Sequence, residues 1–256
     1  MKPPLRIESA GDSHVGFVRR RNEDSIYLGH FLIAVADGLG GHVAGDVASS
    51  TVIDALRRYD QKVESGSPAD ALGRAVNGAN DALRRRIKAE PELAGMGTTL
   101  VAMLISGTTA ALANVGDSRA YLLHGQGQQR NQTTQITEDH VYGRLVADAA
   151  DVPNLPERLA RFLDGRLDGR SPDITLFTLQ PGDRLLLCSD GLSSYVPGEL
   201  IHTALAAAAS PADAVKRLIT TALDHGGPDN ITVAVIDIQY KDGSALRGKD
   251  ERGQSG

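Results

Sequence analysis

The sequence predicts an α+β fold of four layers, with two antiparallel β-sheets packed face to face and a pair of helices on each outer face (α-β-β-α). Three observations point to it. Several strand-like runs, "RLLLCS" among them, are apolar on both alternating faces, so both faces need a cover. These runs arrive in groups, which does not suit a regular β-α-β-α winding. Helical segments come in adjacent pairs, one in the first half of the chain and one near its end. A central strand is then buried by a sheet on one side and by helices on the other.

Taken in chain order, "YLGHFLIAVA" at residues 27–36 reads as the first strand. Residues 43–59 and 67–90 follow as the first helix pair. In the second of these, Leu72, Val76, Ala79, Leu83 and Ile87 recur at three- and four-residue spacing and form one buried stripe. That stripe leaves Arg84, Arg85 and Arg86 in water. Strands are expected at 97–105, 108–115, 118–124 and 129–137, then at 173–179 and 184–189. A second helix pair, 197–209 and 210–227, precedes a last strand at 230–238. Two helices open on the same "SPAD" signal, with Ser67 or Ser210 as N-cap, proline next, and Asp70 or Asp213 in the first turn. A single domain over 1–240 is expected, ending in a tail at 241–256 that is charged, glycine-rich, aperiodic and hence disordered.

Composition narrows the chemistry. With 256 residues, 41% of them hydrophobic, the chain can bury a substantial core. The lone Cys188 excludes an internal disulfide and, with seven scattered histidines, a thiolate zinc cluster. Any metal is therefore held by oxygen. A net charge of -5 argues against general nucleic-acid affinity, which needs a positive surface. "MKPPLRIESAGDS" lacks an apolar run of signal-peptide length, and nowhere do eighteen apolar residues run together. A cytoplasmic location without membrane attachment is expected, and a monomer is the default.

Four acids sit at strand ends. Asp37 closes "FLIAVAD", Asp117 follows "ALANVG", Asp190 follows "RLLLCS", and Asp229 precedes "NITVAVIDI". Singly, each reads as ordinary turn chemistry. Together they are expected to converge on one rim of a layered sheet. Carboxylates about 4 Å apart repel by roughly 4 kcal/mol per pair at an effective dielectric of 20, so such a cluster needs cations or protons. Magnesium or manganese, which prefer octahedral oxygen ligands and retain water, suit a few carboxylates plus a backbone carbonyl such as that of Gly38. A two-ion carboxylate site that keeps water suggests hydrolytic phosphoryl transfer, in which a bridging water is the nucleophile. An arginine fork is the expected phosphate binder.

Six segments carry a resemblance. "GFVRRRNEDS" (16–25), "ADGLGGHVAGDVAS" (36–49), "GTTLV" (97–101), "NVGDSRAYL" (114–122), "CSDGLSSYV" (188–196) and "GPDNITVAVI" (227–236) resemble the metal-dependent type 2C protein serine/threonine phosphatases, especially the compact bacterial form. They occur in the family's order and span nearly the whole chain apart from the tail. The resemblance implies the same α-β-β-α sandwich and two Mn2+ or Mg2+ ions. Position by position, it implies that Asp37 bridges the ions, that the Gly38 carbonyl joins one, and that Asp190 and Asp229 complete the other. Asp117 matches a position that helps hold a third, weaker ion. Arg19 matches the phosphate clamp, Glu23 and Asp24 an acidic pair acting through water, and Asn230 a residue that orients Asp229 or simply starts its strand. His42 matches a proposed proton donor to the leaving alkoxide, although "LGG" separates it from Asp37, and it reads equally as the start of a helix. His140 in "EDH" recurs in the family and is given no catalytic role.

The departure from the family lies at about 141–173, where bacterial relatives carry a flap. Its Arg166 and Arg170 read as substrate contacts or as solvated loop arginines. The implied activity is hydrolysis of phosphoserine and phosphothreonine on protein substrates, opposing a serine/threonine kinase. The alternative is a catalytically silent phosphoprotein-binding module of the same fold, which is expected to have lost metal aspartates. An aspartyl-nucleophile phosphotransferase fits less well, because Gly38 and Leu39 follow Asp37 where Asp-x-Asp is required.

Overall fold

A computed structural model describes residues 5–39, 44–125, 132–146, 152–156, 158–167 and 171–241. The expected tail falls almost wholly outside these residues, as do His42 and Arg170.

The two antiparallel sheets are present. One runs in the order β1 (Leu5–His14), β11 (Ile231–Tyr240), β10 (Arg184–Cys188), β7 (Arg119–Leu123) and β8 (Thr133–Gln135). The other runs β2 (Asp24–Leu28), β3 (Leu32–Leu39), β5 (Leu100–Ser106), β6 (Thr109–Val115) and β9 (Asp173–Thr178), with the two-residue β4 (Gly97–Thr98) also paired to β3. Alternation along β3 shows how the layers form. Leu32, Ala34 and Ala36 face helices α1 (Gly45–Leu56) and α2 (Pro68–Ala89), while Ile33 and Val35 face the opposite sheet. The middle core is completed from the other side by Leu185, Leu187, Ala234 and Ile236. A third core lies beyond, where Leu186, Val233 and Val235 meet α5 (Gly198–Ala206) and α6 (Pro211–Asp224). Three apolar seams therefore separate four layers.

Helix starts follow the predicted chemistry. Ser67 Oγ accepts from the Ala69 amide at 3.1 Å, and Ser210 Oγ from the Asp213 amide at 3.2 Å. Leu72, Val76, Ala79 and Leu83 are buried in the α2 stripe, and Arg84 and Arg86 pair on the wet face with Asp81 and Glu90.

Some elements differ from expectation. The run at 27–36 is two strands, because Asp60 folds the chain between them. Its carboxylate accepts from the Tyr27 hydroxyl and from the amides of His30, Phe31 and Leu32, at 2.7 to 3.0 Å. β1 carries little apolar signal, since it is a half-buried edge strand held by ten residues of backbone pairing to β11. The expected strand at 97–105 is interrupted at Thr99. Of the expected strand at 129–137, only β8 is strand among the described residues. The helix read over 43–59 runs from Gly45 to Leu56 and tightens into a 3-10 turn at Arg57–Tyr59. Two short helices, α3 (Tyr142–Leu145) and α4 (Asp190–Ser193), have too few residues for a periodic pattern.

Candidate active site

Strand direction alone gathers the four acids. β3 and β6 are each antiparallel to β5, so they run parallel to one another and end at the same edge. In the facing sheet the end of β10 lies beside the start of β11, with Cys188 opposite Val233. Asp37 lies near the end of β3, Asp117 just past β6, Asp190 at the first turn of α4 after β10, and Asp229 just before β11. All four, with Arg19, Glu23, Gly38 and Asn230, line one cleft of about 250 Å³ between the sheets. Asp24 lies beneath it, opposite Asp37 in the β2–β3 register.

Each acid is held by groups behind it. The Thr99 hydroxyl accepts from the Asp37 amide at 3.1 Å, while the Thr98 hydroxyl and the Thr99 amide donate to the Asp37 carbonyl. Thr99 Oγ1 lies 2.7 Å from Ser118 Oγ, which ties this clamp to the turn carrying Asp117. Asp24 Oδ2 accepts from Ser189 at 2.8 Å and from Thr232 at 2.7 Å. These five hydroxyl residues were not singled out from the sequence. Their only signal was membership of the six quoted segments, with Ser118, Ser189 and Thr232 also lying within one or two residues of a candidate acid or of Asn230. Gly38 is required by close approach, because a Cβ there would run into the backbone carbonyls of Gly45 and Glu23.

Asn230 does more than was expected of it. Its amide, not its side chain, holds Asp229, donating to Oδ1 at 2.8 Å. The side chain instead donates to the carbonyls of Val15 and Arg21, both at 2.9 Å, and accepts from the Glu23 amide at 2.8 Å. It therefore shapes the loop that carries Arg19. The Arg19 guanidinium reaches Asp229 Oδ2 at 2.7 Å.

Electrostatics make the cluster a poor host for its own charges. Burial and then the repulsion of Asp24, Asp190 and Asp117 push Asp37 well above the usual carboxylate range. Burial, then Asp190, raises Asp117 to about 7. Burial raises Asp24 to about 6 against the pull of its two hydroxyl donors, and burial followed by Asp229 raises Asp190. Asp37 and Asp190 lie close enough to perturb one another, so the two carboxyls do not readily ionise together. Asp24 Oδ1 is buried without a partner among the described residues.

These observations fit hard divalent cations. Among the described residues of the cleft the acidic donors are all oxygen, and cations would relieve their mutual repulsion. Among the described residues no three acids are gathered tightly enough to hold an ion as they stand. In this arrangement Asp229 is engaged with Arg19. Cys188 takes no part, being fully buried with its thiol pushed up to about 12 by burial.

Other candidates lie elsewhere. His140 is buried, accepts from the Gly116 amide at 3.1 Å, and meets Asp173 at 3.0 Å, so it braces the turn before Asp117. Arg166 pairs with Asp164 at 3.5 Å and lines a separate cavity against α2. In the expected flap, Leu159 reaches the cleft, and the Leu163 backbone exchanges two 2.9 Å hydrogen bonds with Thr98.

Comparison with known proteins places this geometry. The family described as Protein phosphatase 2C matches residues 19–229. The chain is 42% identical over 241 residues to the serine/threonine protein phosphatase PstP of Mycobacterium tuberculosis, covering 91% of this chain and 45% of that relative. It is 35% identical over 242 residues to the serine/threonine phosphatase stp of Listeria welshimeri, covering 87% of this chain and 92% of that relative. Among solved structures, the catalytic domain of serine threonine protein phosphatase PstP in complex with 2 manganese ions superposes with a TM-score of 0.81 at 41% identity, covering 92% of this chain and 99% of that one. The chain thus spans about half the length of the PstP relative it matches.

Proposed function

Because the chain belongs to the protein phosphatase 2C family, we propose that it is a protein phosphatase that hydrolyses phosphoserine and phosphothreonine with the help of Mn2+ or Mg2+. One observation carries the reading: Asp37, Asp117, Asp190, Asp229 and Arg19 meet in a single cleft whose buried carboxyls need cations. The complete acid set argues against a silent binding module. PstP was solved with two manganese ions, which supports the same cofactor here.

In this reading Asp37, the Gly38 carbonyl, Asp190 and Asp229 would hold two ions, and Asp117 would help to hold a third, weaker one. When bound, the ions supply an activated water and screen the charge of the phosphate. The chain's own groups do the rest. Arg19 exchanges its contact with Asp229 for two phosphate oxygens, because a planar fork matches that geometry. Glu23, at the cleft wall, and Asp24, beneath it, act through water, and Asn230 keeps the Arg19 loop in place. The strand ends hold the carboxylates more rigidly than loops could. His42 is carried as the proton donor on the resemblance alone. A hydrolase of phosphothreonine needs a kinase to supply its substrate, so the partner class is a serine/threonine kinase and its targets. We place the activity in the cytoplasm, as a monomer.

The test is phosphate release from a phosphothreonine peptide, with and without manganese, for the wild type beside Asp190→Asn. Manganese-dependent turnover that falls by roughly a hundred- to a thousandfold in the variant is expected, the scale on which removing one group that stabilises the transition state acts. Folded wild type without turnover in any divalent ion would overturn the assignment.

A further inference from the structure

The loop that brings Arg19 to the cleft carries further charge that the reaction itself does not use. Arg20 and Arg21 follow Arg19 directly, both are exposed, and neither guanidinium has a hydrogen-bond or ion-pair partner among the described residues. Some exposed arginines elsewhere find acids, as Arg57 does with Asp54, Arg84 with Asp81 and Arg217 with Asp213, while others, Arg58 and Arg85 among them, stand unpaired among the described residues on helical faces far from the cleft. The loop bearing the free pair is nonetheless fixed. Asn230 holds the Arg21 carbonyl and the Glu23 amide, the Phe17 amide donates to the Gly227 carbonyl at 2.7 Å, and Gly16 turns the chain at φ +80°. Two apolar side chains, Phe17 and Val18, stand 67% and 68% exposed on the same loop. A loop this well anchored that still leaves adjacent apolar and cationic groups in water has the composition of a contact surface. Exposed Arg158 adjoins Leu159, which also lines the cleft.

Resting on the phosphatase reading, we propose that these arginines form a rim that selects phosphopeptides with Asp or Glu beside the phosphorylated residue, read by Arg20 and Arg21 together with Arg158. The chain's net charge is -5, so a cationic rim around an acidic floor is a local segregation of charge. Once cations balance the floor, the rim's positive field faces the incoming peptide. The free guanidiniums are held by a fixed backbone, so less ordering cost is added on binding.

The experiment compares kcat/KM of manganese-loaded protein on a glutamate-flanked phosphothreonine peptide, on its glutamine-flanked counterpart, and on p-nitrophenyl phosphate. Wild type is expected to favour the glutamate peptide by about tenfold at low salt, with the preference shrinking as salt screens the rim. The Arg20→Gln/Arg21→Gln variant should lose most of that preference while keeping its turnover of p-nitrophenyl phosphate, and Arg20→Lys/Arg21→Lys should retain part of it. Equal turnover of the two peptides by wild type, or an unchanged preference in the glutamine variant, overturns the inference while leaving the phosphatase intact. Failure to hydrolyse any of the three substrates removes both.

Discussion

Asp60 shows how much one carboxylate can decide. It takes four hydrogen bonds from the end of β2, the turn after it and the start of β3, which sets the turn that delivers β3, and hence Asp37, to the cleft. Burial alone would raise its pKa, but the donors from Phe31, His30, Tyr27 and Leu32 hold it below the ordinary value. A carboxyl whose folded pKa is depressed contributes stability that is complete above its unfolded pKa, about 4, and is lost as pH falls through the folded value. The gap in urea stability between wild type and Asp60→Asn should therefore be full at neutral pH and should close as the solution is taken below pH 4. A gap of constant size across that range would show that the contacts do not depend on the charge. Nothing around "RRYDQK" marks Asp60 in the sequence, because its partners lie about thirty residues away.

At the scale of elements, loops and strand ends are coupled through side chains that reach across the chain. Asn230 makes three hydrogen bonds to the loop around Arg19, more than 200 residues distant. Asn230→Ala should cost about 1 to 3 kcal/mol, the scale of leaving buried polar groups unpaired. It should also lower kcat/KM on any phosphate ester and speed amide exchange at residues 16–23. Faster exchange spread evenly over the molecule would instead mean general destabilisation. The sequence showed Asn230 only as a neighbour of Asp229. Which loop its amide group serves depends on the β11 start lying beside that loop, which no local pattern encodes. The helix stripe of α2 and the two serine caps were legible for the opposite reason, since their interactions lie within one or two turns.

For the whole molecule, the seam between the sheets is the common support of the cleft. Both walls stand on it: β3 and β6 contribute from one side, β10 and β11 from the other. Leu185 is fully buried in that seam. Leu185→Ala should lower stability by about 2 to 5 kcal/mol, as a deleted core side chain that leaves a cavity does. Because the two sheets share this core, urea unfolding followed by far-UV and by tyrosine signals should remain one coincident transition at a lower midpoint. Two separated transitions would show that the sheets fold as independent halves.

The sequence by itself determined the four-layer arrangement, the helix pairs, the oxygen-only character of any metal site, and the identities of the acids that share the cleft. Doubly apolar strands, helical periodicity and residue types at strand ends are short-range facts, so they survive in one dimension. Only the tertiary structure decided the rest: the split at Asp60, the edge strand β1, the hydroxyls behind Asp37 and Asp24, and the anchoring of the Arg19 loop by Asn230. These depend on which strand ends become neighbours when two sheets close on one core, and that is set by long-range packing and backbone pairing.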